Sequence, residues 1–408
     1  MWSKIYTVIF FCILSAATAA YGAEFEVHPS IALSGEYTDN VYETGTNRSS
    51  DYITRVLPGI AMSYKARLLT ADLSYLFDYR DYARDVREDE NTHALSASGH
   101  LTAIENLLFL DVRDEYRRVS LDVTRDLANE SLFFNQSDQN VATISPYLTL
   151  RPMERISVKT GYTFVDTRYI DSPAIDKNDH IAFVNLAYEM TKRLSLTADY
   201  TYTRQLADID DLRQHYSLAG FRYEYSNKSF LFAQGGKAWT YFDSGPRLDS
   251  VIWNAGFSHV VDTISATVTT GVRYNEDPLR NVTKESYISG KLEKQFVRGA
   301  VSFSPIYSRY VLTNTDTLLL EKYGAAVRGR YDLSADLNCF LGLGGEVYDL
   351  PDPLGYTRRI QTDTGLSYLL AKGLTLSLTY IFTGYSSPTI IADNRHVNRA
   401  MFEIKKTF

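Results

Sequence analysis

The stretch Ile264-Ser265-Ala266-Thr267-Val268-Thr269-Thr270-Gly271-Val272-Arg273-Tyr274-Asn275 places Ile264, Ala266, Val268, Val272 and Tyr274 on one parity, with Thr270 the single polar residue among them. Ser265, Thr267, Thr269, Gly271, Arg273 and Asn275 occupy the other. Side chains of an extended strand alternate between two faces, so this segment is greasy on one side and polar and charged on the other. The same holds for Leu69, Ala71, Leu73, Tyr75, Phe77 and Tyr79 against Thr70, Asp72, Ser74, Asp78 and Arg80, with Leu76 the apolar exception. It holds again for Leu194, Leu196, Ala198, Tyr200 and Tyr202, and for Leu374, Leu376, Leu378, Tyr380 and Phe382.

From Phe25 onward this design repeats: an alternating stretch, a very short turn, a second alternating stretch, a longer polar loop. A soluble antiparallel sandwich also alternates. Three features argue against it. Aromatic residues stand at the ends of the apolar faces, as an interfacial girdle requires. The strands run to roughly ten to fifteen residues, where sandwich strands are nearer five or six. Short and long connections alternate strictly.

The expected fold is therefore all-β, a transmembrane antiparallel up-and-down β-barrel of about 20 strands. Bulges at Gly235-Gly236 or Gly344-Gly345, by merging or splitting strands, set the range at 18 to 20. Nine tight turns are expected near residues 65–67, 104–106, 152–154, 191–192, 227–228, 262–263, 297–299, 334–336 and 371–373. Ten longer loops fall near 40–51, 83–90, 120–138, 169–178, 207–211, 243–249, 277–283, 314–317, 351–355 and 386–394. With both termini on the side of the turns, the loops face outward from the cell.

Composition agrees. The chain holds 31 tyrosines and 20 phenylalanines in 408 residues, yet its apolar content is spread evenly along the strands. Lys4, the apolar run Ile5 to Leu14 and the small residues Ser15 to Ala20 read as a signal peptide over residues 1–23. That leaves a barrel over 24–408 in the outer membrane of a Gram-negative bacterium, with no plug domain before its first strand. Ile9-Phe10-Phe11 ahead of Cys12 lacks the small residues that lipoprotein processing needs. Cys339 is then a free thiol expected to face lipid as a small hydrophobe. A net charge of -7 with no basic stripe gives nucleic-acid binding no support.

The polar face carries the candidate pore lining: Asp72, Asp78, Arg80, Asp111, Arg113, Asp199, Arg222, Glu224, Arg273, Arg328, Arg330, Glu346, Arg359 and Asp363. Barrels of sixteen to eighteen strands already leave an aqueous channel, so this wall suits a conduit for a polar solute. The plainer alternative is charge that solvates the wall and pairs across strands. Arg222, Arg273, Arg328, Arg330 and Arg359 would favour acidic substrates such as uronate-bearing polysaccharide. Tyr287, Phe340 and Tyr348 on the same face would stack against sugar rings or simply fill space. The loop at 120–138, with Leu132, Phe133 and Phe134, is placed either to dip into the pore or to cap it.

Catalysis has no visible apparatus. His28, His93, His100, His180, His215, His259 and His396 stand singly, as rim or lumen residues, without a paired serine or metal-ligand spacing. No cofactor is implied. At the C-terminus Phe402, Ile404 and Phe408 form an amphipathic strand ending in an aromatic, which resembles the signal read by the barrel-assembly machinery. Lys406 departs from that pattern. At the rim it can snorkel to the headgroups; at the midplane it would cost about 2 to 4 kcal/mol.

Glu36-Tyr37-Thr38-Asp39-Asn40-Val41, Ser50-Asp51-Tyr52-Ile53-Thr54 and Pro58-Gly59-Ile60 resemble the opening of a family, the outer-membrane proteins associated with the exosortase (PEP-CTERM) system, within a broader β-barrel porin group. The likeness runs on through Leu73-Ser74-Tyr75, Tyr82-Ala83-Arg84-Asp85 and Ile104-Glu105-Asn106-Leu107-Leu108-Phe109-Leu110-Asp111, over roughly residues 30 to 115. It implies a role beside exopolysaccharide production and export loci; together with the polar inner face it gives the expectation of a porin-like channel that assists exopolysaccharide secretion, with outer-membrane lipid, polysaccharide and periplasmic export proteins as partners. Its motifs describe strands and turns and carry over no functional residue. A scaffold barrel whose loops bind a partner and a porin sheath around an electron-transfer conduit remain open. Asp39-Asn40 reads equally as a turn opening the first loop.

Overall fold

The computed structural model describes residues 23–121, 136–170, 172–208, 210–243, 245, 247–279, 282–313, 315–391 and 394–408. The signal-peptide reading, apart from Ala23, and the apolar Leu132-Phe133-Phe134 lie outside them.

Twenty long strands follow one another. They are β1 Glu24–Thr38, β2 Asp51–Lys65, β3 Leu69–Tyr82, β4 Glu90–Ile104, β5 Leu108–Ser120, β6 Gln136–Met153 and β7 Ile156–Ile170. Next come β8 Lys177–Glu189, β9 Leu194–Ala207, β10 Leu212–Ser226, β11 Ser229–Phe242, β12 Leu248–Val261, β13 Ile264–Glu276 and β14 Val282–Phe296. The last are β15 Gly299–Leu312, β16 Thr317–Asp332, β17 Leu337–Asp349, β18 Tyr356–Ala371, β19 Leu374–Ser386 and β20 Arg395–Thr407. Each pairs antiparallel with the next, and β20 pairs with β1 from Thr38↔Arg399 to Ser30↔Thr407, so the sheet closes on itself without a free edge. No plug domain lies among the described residues.

All nine tight turns and ten longer connections fall where the alternation lapses. Asn227-Lys228, Asp262-Thr263 and Lys372-Gly373 each reverse the chain in two residues, with Lys228, Asp262 and Gly373 in the left-handed region that such hairpins need. The expected bulges are absent: register runs unbroken through Gly235-Gly236 and through Gly344-Gly345. Gly236 instead serves close approach, since a Cβ there would run into the Ser217 carbonyl of the neighbouring strand. Register shifts occur between Thr102 and Ile104, Leu150 and Met153, Glu224 and Ser226, and Leu369 and Ala371, where strands run into turns, and at Tyr310/Val311.

The inner face follows from crowding. On β1, Ala32 and Glu36 are 5% and 3% exposed while Leu33 is 54% exposed, and the concave side of a ring is the crowded one. Cross-strand partners point the same way, so this one assignment propagates through the registers and returns to itself at the seam. The outer face is an apolar belt, with Val251, Leu341, Leu343, Ile360 and Leu378 all exposed. Tyr188, Tyr223, Phe257, Tyr331, Tyr368 and Phe402 ring its turn end, and Tyr79, Tyr162, Tyr200, Trp253, Tyr323 and Tyr380 its loop end. Such a surface suits lipid between two aromatic girdles. Cys339 is outward, partly exposed, and free. Lys406 lies outward beside the last turn, its Nζ donating to the Lys372 carbonyl at 2.9 Å. Phe402, Ile404 and Phe408 are exposed, and the Phe408 amide donates to Pro29.

A Gly236→Ala substitution should lower the unfolding midpoint in detergent by the equivalent of about 1 to 3 kcal/mol, because backbone must shift to admit the methyl. Gly35→Ala, with nothing within 4 Å of the added atom, should leave it unchanged. Equal midpoints for the two variants would refute the close-approach account.

Candidate functional site: the charged inner wall

All fourteen candidate pore-lining residues fall on the inward face. The strand spans distribute them by height. Asp72, Asp111, Arg222, Glu224, Arg328 and Arg330 stand toward the turn end, Arg113, Asp199 and Asp363 near the middle, and Asp78, Arg80, Arg273, Glu346 and Arg359 toward the loops. Toward the turns the inward charges are well hydrated: the side chains of Arg222 and Glu224 are 48% and 54% exposed. Among the described residues, extensive contact joins only neighbours in the ring, and no strand packs across the space that the wall encloses.

At the loop end the charges crowd into a network. Glu36, its side chain 1% exposed, lies between Arg399 Nε at 2.6 Å and an Arg55 guanidinium nitrogen at 3.6 Å. Arg55 grips Asp78 with two nitrogens, at 3.0 and 2.6 Å, and Arg80 reaches the same carboxylate at 3.0 and 2.8 Å. Arg80 approaches Glu90 at 3.5 Å; Glu90 accepts from Arg118 at 2.6 Å, and Arg118 donates to Asp138 at 2.9 Å. Opposite charges thus alternate on the inner face from β20 through β1 to Glu90 of β4, and pass at the strand ends to Arg118 and Asp138, which the register places on the outward parity of β5 and β6. Planar guanidinium groups suit this because one arginine can hold two carboxylates in fixed geometry.

The far wall has two smaller knots. Glu285, 2% exposed, accepts from Arg273 and Asn275 at 2.7 Å each, from Ser308 at 2.9 Å and from Tyr310 at 3.2 Å. Glu346 accepts from Lys322 and Arg359, both at 2.9 Å, and from Tyr348 at 2.5 Å. Tyr310 and Tyr348 also pack with Leu320 beneath the loops. Above them, Glu276 at the end of β13 receives Lys177 of β8 at 2.5 Å and Gln205 of β9 at 3.3 Å, and the Ile175 amide donates to Pro278. These partners lie four to five strands apart, so the loops after β7 and β13 join over the rim.

Between β15 and β18 the wall recedes into a hollow of about 160 Å³, lined by Ile306, Ala326, Arg328, Gly344, Gln361 and Asp363 among others. Arg328, Arg330 and Asp363 enter no ion pair among the described residues, which leaves two guanidinium groups directed at the lumen. Beside the hollow, the Phe340 ring lies over Gly365; Phe232 covers Gly256 in the same way. These two inward rings thus fill the space that a glycine on the neighbouring strand leaves, which is the packing role open to Phe340. Arg273 stands over Tyr287, 4.7 Å from the ring centre, and Arg222 over Phe230 at 3.4 Å.

Glu36, Arg55, Glu285, Lys322 and Arg399, central to these networks, were not among the residues singled out from sequence. Their parity was legible: Glu285 shares its face with Tyr287 and with Lys291. What hid Glu36 and Arg55 is that the inner face there also carries Ala32, Ile53 and Leu57. The histidines divide between the two faces. His100 faces the lumen and bonds Asp111 at 2.6 Å. His93, His180, His215 and His259 face outward, each joined through Nδ1 to a tyrosine hydroxyl, Tyr75, Tyr162, Tyr200 and Tyr225 respectively. Among the described residues no three His, Cys, Asp or Glu side chains are grouped to hold a metal.

No protein-family model matches the chain, and no curated protein matches it in sequence. Solved structures are similar in architecture only. OccAB3 of Acinetobacter baumannii is 12% identical over 94% of this chain and 99% of that one, with a TM-score of 0.47. OpdK of Pseudomonas aeruginosa, solved with vanillate, is 10% identical over 94% and 98%, also at 0.47. A loop L8 deletion mutant of OmpT, an outer membrane protein of Vibrio cholerae, is 10% identical over 95% and 100%, at 0.40. Superpositions this loose carry no argument about substrate or mechanism.

Glu36→Gln should strip the buried anion from between Arg55 and Arg399 and destabilise the barrel by on the order of 3 kcal/mol, since two crowded cations lose their partner. Arg328→Gln, which breaks no ion pair, should change stability by less than about 0.5 kcal/mol. Denaturant unfolding of both variants in liposomes, followed by tryptophan fluorescence, decides; equal stabilities would deny the network its structural role.

Proposed function

We propose that the chain is an outer-membrane, porin-like channel for polar solutes, and that it assists exopolysaccharide secretion. The observation that carries the channel reading is the hydrated, mixed-charge inner wall of a closed ring whose outer face is an apolar belt between aromatic girdles. A solute entering at the turn end meets water-exposed charge of both signs, the unpaired Arg328 and Arg330 among it, then the network of Glu36, Arg55, Asp78 and Arg80. The wide end tolerates a hydrated chain; the crowded end selects. Exposed guanidinium groups favour carboxylate-bearing solutes, as in a uronate-containing polysaccharide. The resemblance over residues 30 to 115 supports the secretion role.

A scaffold barrel closed at its loop end is the second reading. The joined loops after β7 and β13 and the buried cluster of Val41, Ile53 and Tyr82 favour it. Planar-bilayer recording separates the two: a channel gives stable conductance, and Arg328→Glu combined with Arg330→Glu should move its selectivity toward cations. Absent conductance would overturn the channel and leave the scaffold. A deletion strain that exports polysaccharide normally would remove the secretion role alone.

A further inference from the structure

On the outer face at the loop end, Arg204 of β9 and Arg213 of β10 are direct cross-strand partners, and both are exposed. Like charges placed directly opposite one another are destabilising. Arg204 has no hydrogen bond or ion pair among the described residues, and Arg213 reaches only Asp243, at 3.6 Å, with both side chains more than half exposed. The other outward cations of this sector are already matched: Arg168 by Asp166 and Asp176, Lys237 and Arg247 by Asp249. Asp211, in the adjoining loop, is turned to the Ala207 amide.

We infer that Arg204 and Arg213 bind a phosphate group of a phosphorylated glycolipid in the outer leaflet of the membrane. Two guanidinium forks on adjacent strands offer several coplanar donors, the arrangement that suits a phosphate. Flanking imidazoles add to it. His180 is the cross-strand partner of Arg204 on its other side, and His215 follows two residues after Arg213 on the same face. The Tyr162 and Tyr200 hydroxyls are hydrogen-bonded to their Nδ1 atoms, at 2.6 and 2.8 Å, which fixes both rings beside the arginines; in the tautomer with the proton on Nε2 each would add one further donor. The pair Tyr75 and His93 repeats the motif on β3 and β4 without an arginine pair beside it, so among the described residues this sector alone combines the two.

Position sets the occupant. The arginines stand one step beyond Tyr200 and Tyr202 in the loop-end girdle and point away from the lumen, at the height of lipid headgroups. A solute inside the channel has no access to them. The inference rests on the outer-membrane reading above.

The test isolates the protein from outer membranes in mild detergent and measures co-purifying phosphorylated glycolipid by native mass spectrometry. Arg204→Glu with Arg213→Glu should retain at least about fivefold less glycolipid than the wild type, a change near 1 kcal/mol. Lys294→Glu, a single charge reversal on the same face at the turn end, should retain as much as the wild type. If the glutamate pair does not assemble, Arg204→Gln with Arg213→Gln takes its place with the same expectation. Undiminished retention by assembled double variants would overturn the inference, as would equal binding of enzymatically dephosphorylated glycolipid by the wild type. Should the wild type fail to fractionate with outer membranes, the membrane reading falls first, and this site with it.

Discussion

A sheet that crosses lipid has no water to satisfy a free edge, so every backbone donor and acceptor must find its partner inside the ring. The seam between β1 and β20 is where that requirement is met last, and side chains reinforce it on both faces of the pairing. Asp39 accepts from the Asn398 amide at 2.8 Å and from its side chain at 2.6 Å. Asn40, fully buried, donates to the carbonyls of Thr44 and His396, which makes Asp39-Asn40 both the turn that opens the first loop and a clasp on the last strand. Glu36 and Arg399 bridge the same seam from the lumen.

Once the ring is closed, each strand must serve two solvents with a single layer of residues. The period of two follows directly, and so does the unequal use of space. At the turn end the inner face is left hydrated. At the loop end, where connections are longer and fold over, the same face is crowded, and charge is tolerated there only as a network in which each carboxylate meets guanidinium, ammonium, hydroxyl or amide donors. On the proposed channel reading, selection and closure occupy the same height in the barrel, which is why removal of one network charge is expected to act on stability as well as on passage.

Much of this was legible in the sequence because alternation is local. Ile264 to Asn275 fixes its own two faces without reference to any neighbour, and the turns at Asn227-Lys228 and Asp262-Thr263 announce themselves by composition. What a local pattern does not carry is register. That Arg55 stands between Glu36 and Asp78, that Glu276 is met by Lys177, and that Arg204 stands opposite Arg213 depend on how strands slide past one another. Glycine misled for a related reason: Gly235-Gly236 suggested a bulge, whereas Gly236 accommodates a neighbouring carbonyl in an unbroken ladder. The outward histidines were hidden too, since an imidazole on an apolar face makes sense only beside the tyrosine hydroxyl that a neighbouring strand supplies.

The central claim is that one parity of each strand faces water inside a closed ring and the other faces lipid. With Cys339→Ser as background, single substitutions Ala266→Cys, Thr267→Cys, Val268→Cys and Thr269→Cys along β13 can be treated in intact outer membranes with a charged thiol reagent that does not enter lipid. Strong labelling at 267 and 269 with little at 266 and 268 is the predicted result; uniform labelling, or labelling with the opposite parity, would contradict it.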